Sequence, residues 1–253
     1  MEFAVLGSGS GGNASLVRHG GTCVMIDNGF SVNETVKRLA RLETAPESIT
    51  AILVTHEHGD HISGVGRFAT KYDIPVWMTA GSYQFARNQG LSRAGTLILE
   101  EPLVIGDLEV LPVHVPHDAR EPAQYVFTDG ARRFGILTDL GCVTPHVIEC
   151  YSGLDAFLLE ANHDADMLAN GPYHHRLKRR VAGNYGHLSN HQAADLLAAI
   201  DTAKLQHIVA AHLSEHNNTP LLAKAALAEV LNCEEEWIGI AHQRHGLDWR
   251  EIA

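Results

Sequence analysis

Aromatic residues make up only 6% of this chain, no run of 18 apolar residues occurs, and basic residues are outnumbered, 19 against 30 acidic. The missing apolar run excludes a membrane-spanning helix. A formal charge of −11 excludes a surface that grips polyanions everywhere, so any contact with nucleic acid must be local. The four cysteines, Cys23, Cys142, Cys150 and Cys233, form no CxxC pair, which predicts reduced, mostly buried thiols in a cytoplasmic protein. The opening MEFAVLGSGSGG has neither a basic n-region nor an adequate apolar h-region, so neither export nor a membrane span is expected. What remains, 45% hydrophobic residues in 253, predicts a globular core and one domain over residues 1–253.

The chain is richest in information at Thr55-His56-Glu57-His58-Gly59-Asp60-His61, directly after the apolar run Ala51 to Val54. A strand of that kind ends in a loop at its sheet edge. His56 and His58, two apart in extended backbone, point to the same side, and Asp60 and His61 follow one turn on to face a second ion. A solvated His-rich loop is the bland alternative, but strict HxHxDH spacing between a strand and a helical stretch favours a two-metal site.

An early GSGSGGN fits GxGxxG at Gly7, Gly9 and Gly12, with Asp27 at the distance of a ribose-binding acid. That fingerprint needs a helix after the glycines. Here the β-rich segments ASLV and TCVMID, joined by His19-Gly20-Gly21, predict a hairpin instead. Further on, the periodicity predicts helices at Ser31–Arg41, Ser63–Tyr72, Ser82–Gln89, 174–182, 190–200 and Pro220–Leu231. Strands are expected at Ala51–Val54, Ile74–Met78, 96–99, 108–115, 124–128, 132–138, Ala156–Glu160, His207–Ala211, 237–240 and 247–252, with ANHDAD after Glu160 as a polar loop. Two β-rich halves with helices outside them predict an α/β fold, an αββα sandwich of two mixed sheets with its chemistry at strand ends.

Two ions need more ligands than HxHxDH supplies, and three candidates follow apolar β segments: His117, Asp139 and His212. On this reading His56, His58 and His117 hold one divalent ion, Asp60, His61 and His212 hold the other, and Asp139 bridges. Spacing alone leaves rivals. His114 competes with His117, His207 and His216 compete with His212, and Asp139 equally fits a cap before Gly141. Five histidines and two aspartates suit zinc or manganese, with iron a further option. The one dense basic stretch, His174, His175, Arg176, Lys178, Arg179 and Arg180, reads either as a solvated helix face or as a local anion contact.

HxHxDH, a lone His, TDLG and a late His in that order resemble the metallo-β-lactamase superfamily from end to end. Within it GSGSGGN, HDAREPAQY (117–125), EANHD (160–164), GHLSN (186–190) and HLSEHNN (212–218) resemble the YycJ/WalJ group, near the phosphodiesterase and nuclease branch that includes tRNase Z and RNase J. The resemblance implies a phosphodiester substrate and a DNA exonuclease, DNA being favoured over RNA. Water between two cations loses a proton near neutral pH, and the hydroxide can attack phosphorus in line while the ions neutralise developing charge.

By the same resemblance Asp60 orients the nucleophile and His187 is a candidate general acid, with Glu160 as its partner; His187 equally fits a cap for the helix near Asn190. Glu160 and His163 read either as catalytic or as supports for metal ligands. Ser214, Asn217 and Asn218 offer donors to phosphate, although Asn-Asn before Thr-Pro is also plain turn chemistry. The rivals are a thioester hydrolase of the glyoxalase II kind, an RNA-directed nuclease and a non-catalytic metalloprotein. EANHD and GHLSN argue against the first.

Overall fold

The structure, a computed structural model, describes residues 1–87, 91 and 94–253. One sheet begins with the antiparallel strands β1 (Glu2–Gly7), β2 (Ala14–His19) and β3 (Thr22–Ile26). It continues in parallel through β4 (Ala51–Leu53), β5 (Val76–Thr79) and β6 (Gly95–Leu97). The other runs antiparallel through β7 (Leu103–Ile105), β8 (Leu108–His114), β9 (Ala123–Thr128) and β10 (Arg133–Leu137), then parallel through β11 (Ala156–Glu160), β12 (His207–Ala211) and β13 (Gly239–Ile240). The last strand, β14 (Leu247–Glu251), returns to pair with β1. The hairpin of β2 and β3 stands where a nucleotide-binding fold would place a helix, as the sequence predicts.

Alternation along each strand divides the apolar side chains between layers. Phe3, Val5, Val24, Phe134 and Leu158 fill the space between the sheets, where Phe3 and Phe134 stack at 4.4 Å between ring centroids. The intervening Ala4, Leu6 and Met25 face outward, against Leu39 of α1 (Val32–Arg41) and Phe68 of α3 (Val65–Tyr72). On the far side Leu137, Phe157 and Leu159 meet Leu196 of α8 (Asn190–Ala199) and Leu227 of α9 (Pro220–Leu231). These layers make an αββα sandwich, each fully buried Leu or Phe stabilising it by roughly 1.5–3 kcal/mol. Among the described residues no helix is long and apolar enough to cross a membrane.

Some expectations need correction. The helix expected over Ser63–Tyr72 is α3, which begins only after Gly64, and a short helix that was not expected, α2 (Gly59–Ile62), precedes it within the metal motif. A Cβ on Gly64 would lie 1.8 Å from the Phe30 carbonyl oxygen, and one on Gly29 equally close to that of Asp60, so two glycines let the 27–30 turn close on the metal-motif loop. The helix expected over Ser82–Gln89 is α4 (Ala80–Ala86), begun by a Thr79 cap; Gln89 lies outside the described residues. Strand β7 and helix α5 (Pro145–Cys150) were not foreseen, and the ANHDAD loop runs into α6 (Ala165–Asn170), capped by Asp164. Three-residue strands and six-residue helices are too short for hydrophobic periodicity to register. The basic stretch forms α7 (His175–Val181).

Candidate metal centre

The residues that could hold metal come from strand ends of both sheets. Beyond β4 come Thr55, His56 and His58, and α2 carries Asp60 and His61; His117 follows β8, Asp139 follows β10, Glu160 ends β11 and His212 follows β12. Parallel strands place their carboxyl ends on one edge, and the sandwich lays the two edges side by side. The rival histidines do not reach this centre: exposed His114 joins none of its clusters, His207 Nε2 bonds the Glu251 carbonyl, and His216 packs against Tyr173.

Each of the five histidines is tied to an oxygen through one ring nitrogen, which leaves the other nitrogen for the centre. His56 Nδ1 bonds Thr55 Oγ1 at 2.9 Å, and that hydroxyl donates to Asp27 Oδ2 at 2.7 Å. His61 Nδ1 donates to Asp27 Oδ2 at 2.8 Å, His117 Nδ1 to the Gly186 carbonyl at 3.0 Å, and His212 Nδ1 to Glu160 Oε1 at 3.3 Å. His58 uses its other nitrogen, Nε2 donating to the Asp118 carbonyl at 3.2 Å. The remaining nitrogen of every ring faces the centre, where a neutral ring offers the lone pair that a metal ligand needs.

Those nitrogens and the carboxylates form two groups. His58 Nδ1 and His117 Nε2 are 3.3 Å apart, with His56 beside them. Asp60 Oδ2 is 3.5 Å from His61 Nε2 and 3.6 Å from His212 Nε2. Asp139 turns Oδ2 to His61 Nε2 at 3.3 Å and Oδ1 to His117 Nε2 at 3.8 Å, one oxygen toward each group. Ligands about 2.1 Å from a tetrahedral cation are roughly 3.4 Å from each other, so these separations are of a size that suits the edges of coordination polyhedra.

Charge and hydrogen bonding agree that cations fit here. His56 Nε2, His212 Nε2 and Asp139 Oδ2 are buried without a hydrogen-bond partner, an arrangement costly unless a cation answers them. Four carboxylates, Asp27, Asp60, Asp139 and Glu160, are gathered at the centre, and two divalent ions supply a matching positive charge. Burial disfavours charge on His212, yet Asp139, Asp60 and Glu160 raise its ring to about 10, so the site demands positive charge at that position. Burial and the neighbouring His61, His117 and His58 push His56 well below its ordinary value, leaving it neutral and able to ligate.

His187 sits at the mouth of the centre. Its Nδ1 donates to Glu160 Oε1 at 2.7 Å, which leaves Nε2 free. It does not cap α8; Ser189 does, in a capping box with Gln192. Glu160 is fully buried and also accepts from the backbone of Leu140 and Leu188. Burial works against its ionisation, but the charge and hydrogen bond of His187, with those of His212, bring its carboxyl down to about 2. A cleft of about 370 Å³ opens over Asp60, Asp139, His187 and His212, with Ser10, Tyr173, Arg180 and Ser214 on its walls.

Three residues expected to touch substrate do not line that cleft. Asn218 donates to the Ala161 carbonyl and pairs with Asn190, Asn217 folds back onto Ser214, and His163 is buried where its carbonyl receives the Asn190 amide. The Asn218 side chain and the His163 carbonyl join β11, α8 and the 212–218 loop, while His163 Nδ1 and Asn217 Oδ1 are buried without a partner. Ser214 remains on the wall.

Asp27 and Asn13 were missed as parts of the site. Asp27 had appeared only as the acidic residue of a false nucleotide motif, although a carboxylate closing the run TCVMI is itself a sign of a buried partner. Asn13 at the end of the glycine loop reaches Asp60 Oδ2 at 3.2 Å. Asp27→Asn is expected to weaken divalent-ion affinity by roughly 10- to 100-fold, because it disturbs the anchoring of His56 and His61 together. Competition with a chromophoric chelator measures this; unchanged affinity would refute the anchoring role.

Comparison with known proteins places the chain in a family. Residues 7–159 match the family model of the metallo-beta-lactamase superfamily. The chain is 34% identical over 252 residues to exodeoxyribonuclease YycJ of Bacillus anthracis, covering 98% of this chain and 96% of that one. It is 31% identical over 246 residues to exodeoxyribonuclease WalJ of Streptococcus pneumoniae, covering 95% and 91%. Among solved structures, the metallo-beta-lactamase fold protein YhfI of Bacillus subtilis superposes with a TM-score of 0.76 over 98% of both chains at 17% identity, a likeness of fold. With its sandwich and these full-length relatives, the chain belongs to the metallo-β-lactamase superfamily and, within it, to the family of YycJ and WalJ.

Proposed function

We propose that this chain is a two-metal phosphodiesterase that removes nucleotides from DNA ends, working as one domain over residues 1–253. The observation that carries the reading is the orientation of five imidazoles, each pinned through one nitrogen, around the two-sided carboxylate of Asp139. His56, His58 and His117 hold one ion, Asp60, His61 and His212 the other, and zinc or manganese suits both, with iron an alternative. When bound, the ions supply Lewis-acid neutralisation of charge on the phosphate oxygens and lower the pKa of water.

The chain's own groups do the rest. Asp60, partly open to the cleft, orients the attacking water. His187, its Nδ1 proton held by Glu160, presents Nε2 to the oxygen that leaves and delivers a proton there. Ser214 Oγ accepts from the Asn217 amide and side chain, so its own proton is free for a phosphate oxygen. The four unpaired cysteines fit a reducing, cytoplasmic setting. DNA as substrate, in preference to RNA, draws support from relatives named exodeoxyribonuclease over nearly the whole length.

The test is end-labelled duplex DNA, single-stranded DNA, RNA and bis(p-nitrophenyl) phosphate incubated with zinc- or manganese-loaded protein, with Asp60→Ala as control. Metal-dependent loss of terminal deoxynucleotides, absent in the variant, is the expected result. Turnover of the small diester alone would leave the centre right and the polymer wrong. Inactivity on all four would turn attention to thioesters.

A further inference from the structure

The one dense basic stretch of this acidic chain forms a helix beside the metal centre. Leu177, Arg180 and Val181 of α7 line the same cleft as Asp60, Asp139 and His212. Arg180 is held over that cleft by Asp118, the neighbour of ligand His117, with Nε 2.5 Å from Oδ2. Among the described residues it is the sole α7 base in an ion pair. Arg176 and Arg179 are exposed, and Lys178 spends one proton on the Ala169 carbonyl.

Helix stability does not account for this charge. Lys178, Arg179 and Arg180 in the last turn complement the helix dipole, but Arg176 stands in the first turn, where a cation opposes it and no acidic residue compensates. Arg176 is also three and four residues from Arg179 and Arg180, spacings at which like charges repel across a helix face. A helix that tolerates this self-repulsion next to a phosphodiester site is suited to a polyanion. Seven residues rising 1.5 Å each span about 10 Å, close to three nucleotides of one strand at about 3.4 Å each.

We propose that α7 is a binding site for the phosphate backbone of the DNA substrate, in which Arg176, Lys178 and Arg179 hold phosphates beyond the scissile one. This rests on the exonuclease reading above. It gives the enzyme a local anionic-polymer contact on an otherwise repellent surface, and it makes the preference for polymer over small diester a property of one helix.

The test is the triple variant R176A/K178A/R179A, measured on duplex DNA over a series of salt concentrations and on bis(p-nitrophenyl) phosphate, which is too small to span the helix. Removing three phosphate contacts is expected to flatten the slope of log kcat/KM against log salt by about 2 to 3. At low salt kcat/KM on DNA falls by about tenfold or more, the small diester is hydrolysed as before, and R176K/R179K behaves as the parent. Unchanged DNA kinetics and salt slope would overturn the proposal while leaving the exonuclease reading intact. An equal loss on both substrates would also overturn it, since α7 would then act on the centre itself. Wild-type protein that hydrolyses the small diester but not DNA would remove the reading on which the proposal rests.

Discussion

Asp139→Asn is expected to leave the sandwich folded and to reduce the tightly held divalent ions from two per chain to one or none, with kcat on DNA lower by on the order of 10³ or more. The size follows from position. Asp139 is 1% exposed, turns one oxygen toward each histidine group, and has Oδ2 without a hydrogen-bond partner. An amide keeps the shape but halves the acceptor capacity and removes the charge that two ions would share. Three factors of ten at about 1.36 kcal/mol each is about 4 kcal/mol, within the range that metal-assisted charge stabilisation supplies. Metal content by atomic emission on the purified variant, together with its circular dichroism, separates this from misfolding. Two retained ions with full activity would end the bridging assignment.

His187→Ala is expected to act differently, lowering kcat on DNA by roughly 10²–10⁴ while metal content stays at the parent level. His187 Nδ1 lies 3.6 Å from Asp139 Oδ1, and its one side-chain hydrogen bond is to Glu160, which His212, Leu140 and Leu188 also occupy. A group that protonates a leaving oxygen matters most when that oxygen is basic. The loss should therefore shrink sharply on bis(p-nitrophenyl) phosphate, whose leaving group needs no proton. The same loss on both substrates would assign His187 to binding or to support of His212 instead.

The proposed ligand set was legible because it is local and ordered: four of its members fall within HxHxDH, and His117, Asp139 and His212 each follow an apolar β run. Spacing could not separate His117 from His114, since both lie near the end of β8, and one residue of offset decides whether an imidazole faces the cleft or solvent. Asp27 was hidden for a different reason. Its partners Thr55 and His61 are 28 and 34 residues away, and the pairing of β3 with β4 that joins them carries no signature within one segment. Asn217 and Asn218 misled because a polar side chain reads alike whether it is offered to a ligand or to the backbone of its own loop.

The two edges that meet at this centre belong to different sheets, and Asp60 and His212 on one ion would join them. An ion there is a clasp across a seam, closing a loop of more than half the chain, and its binding energy appears directly as resistance to unfolding through mass action. With such an ion the protein's lifetime in a cell would track the free metal concentration, because a chain without the clasp would open more often along that seam. A hydrolase clasped in this way would report metal supply through its own abundance.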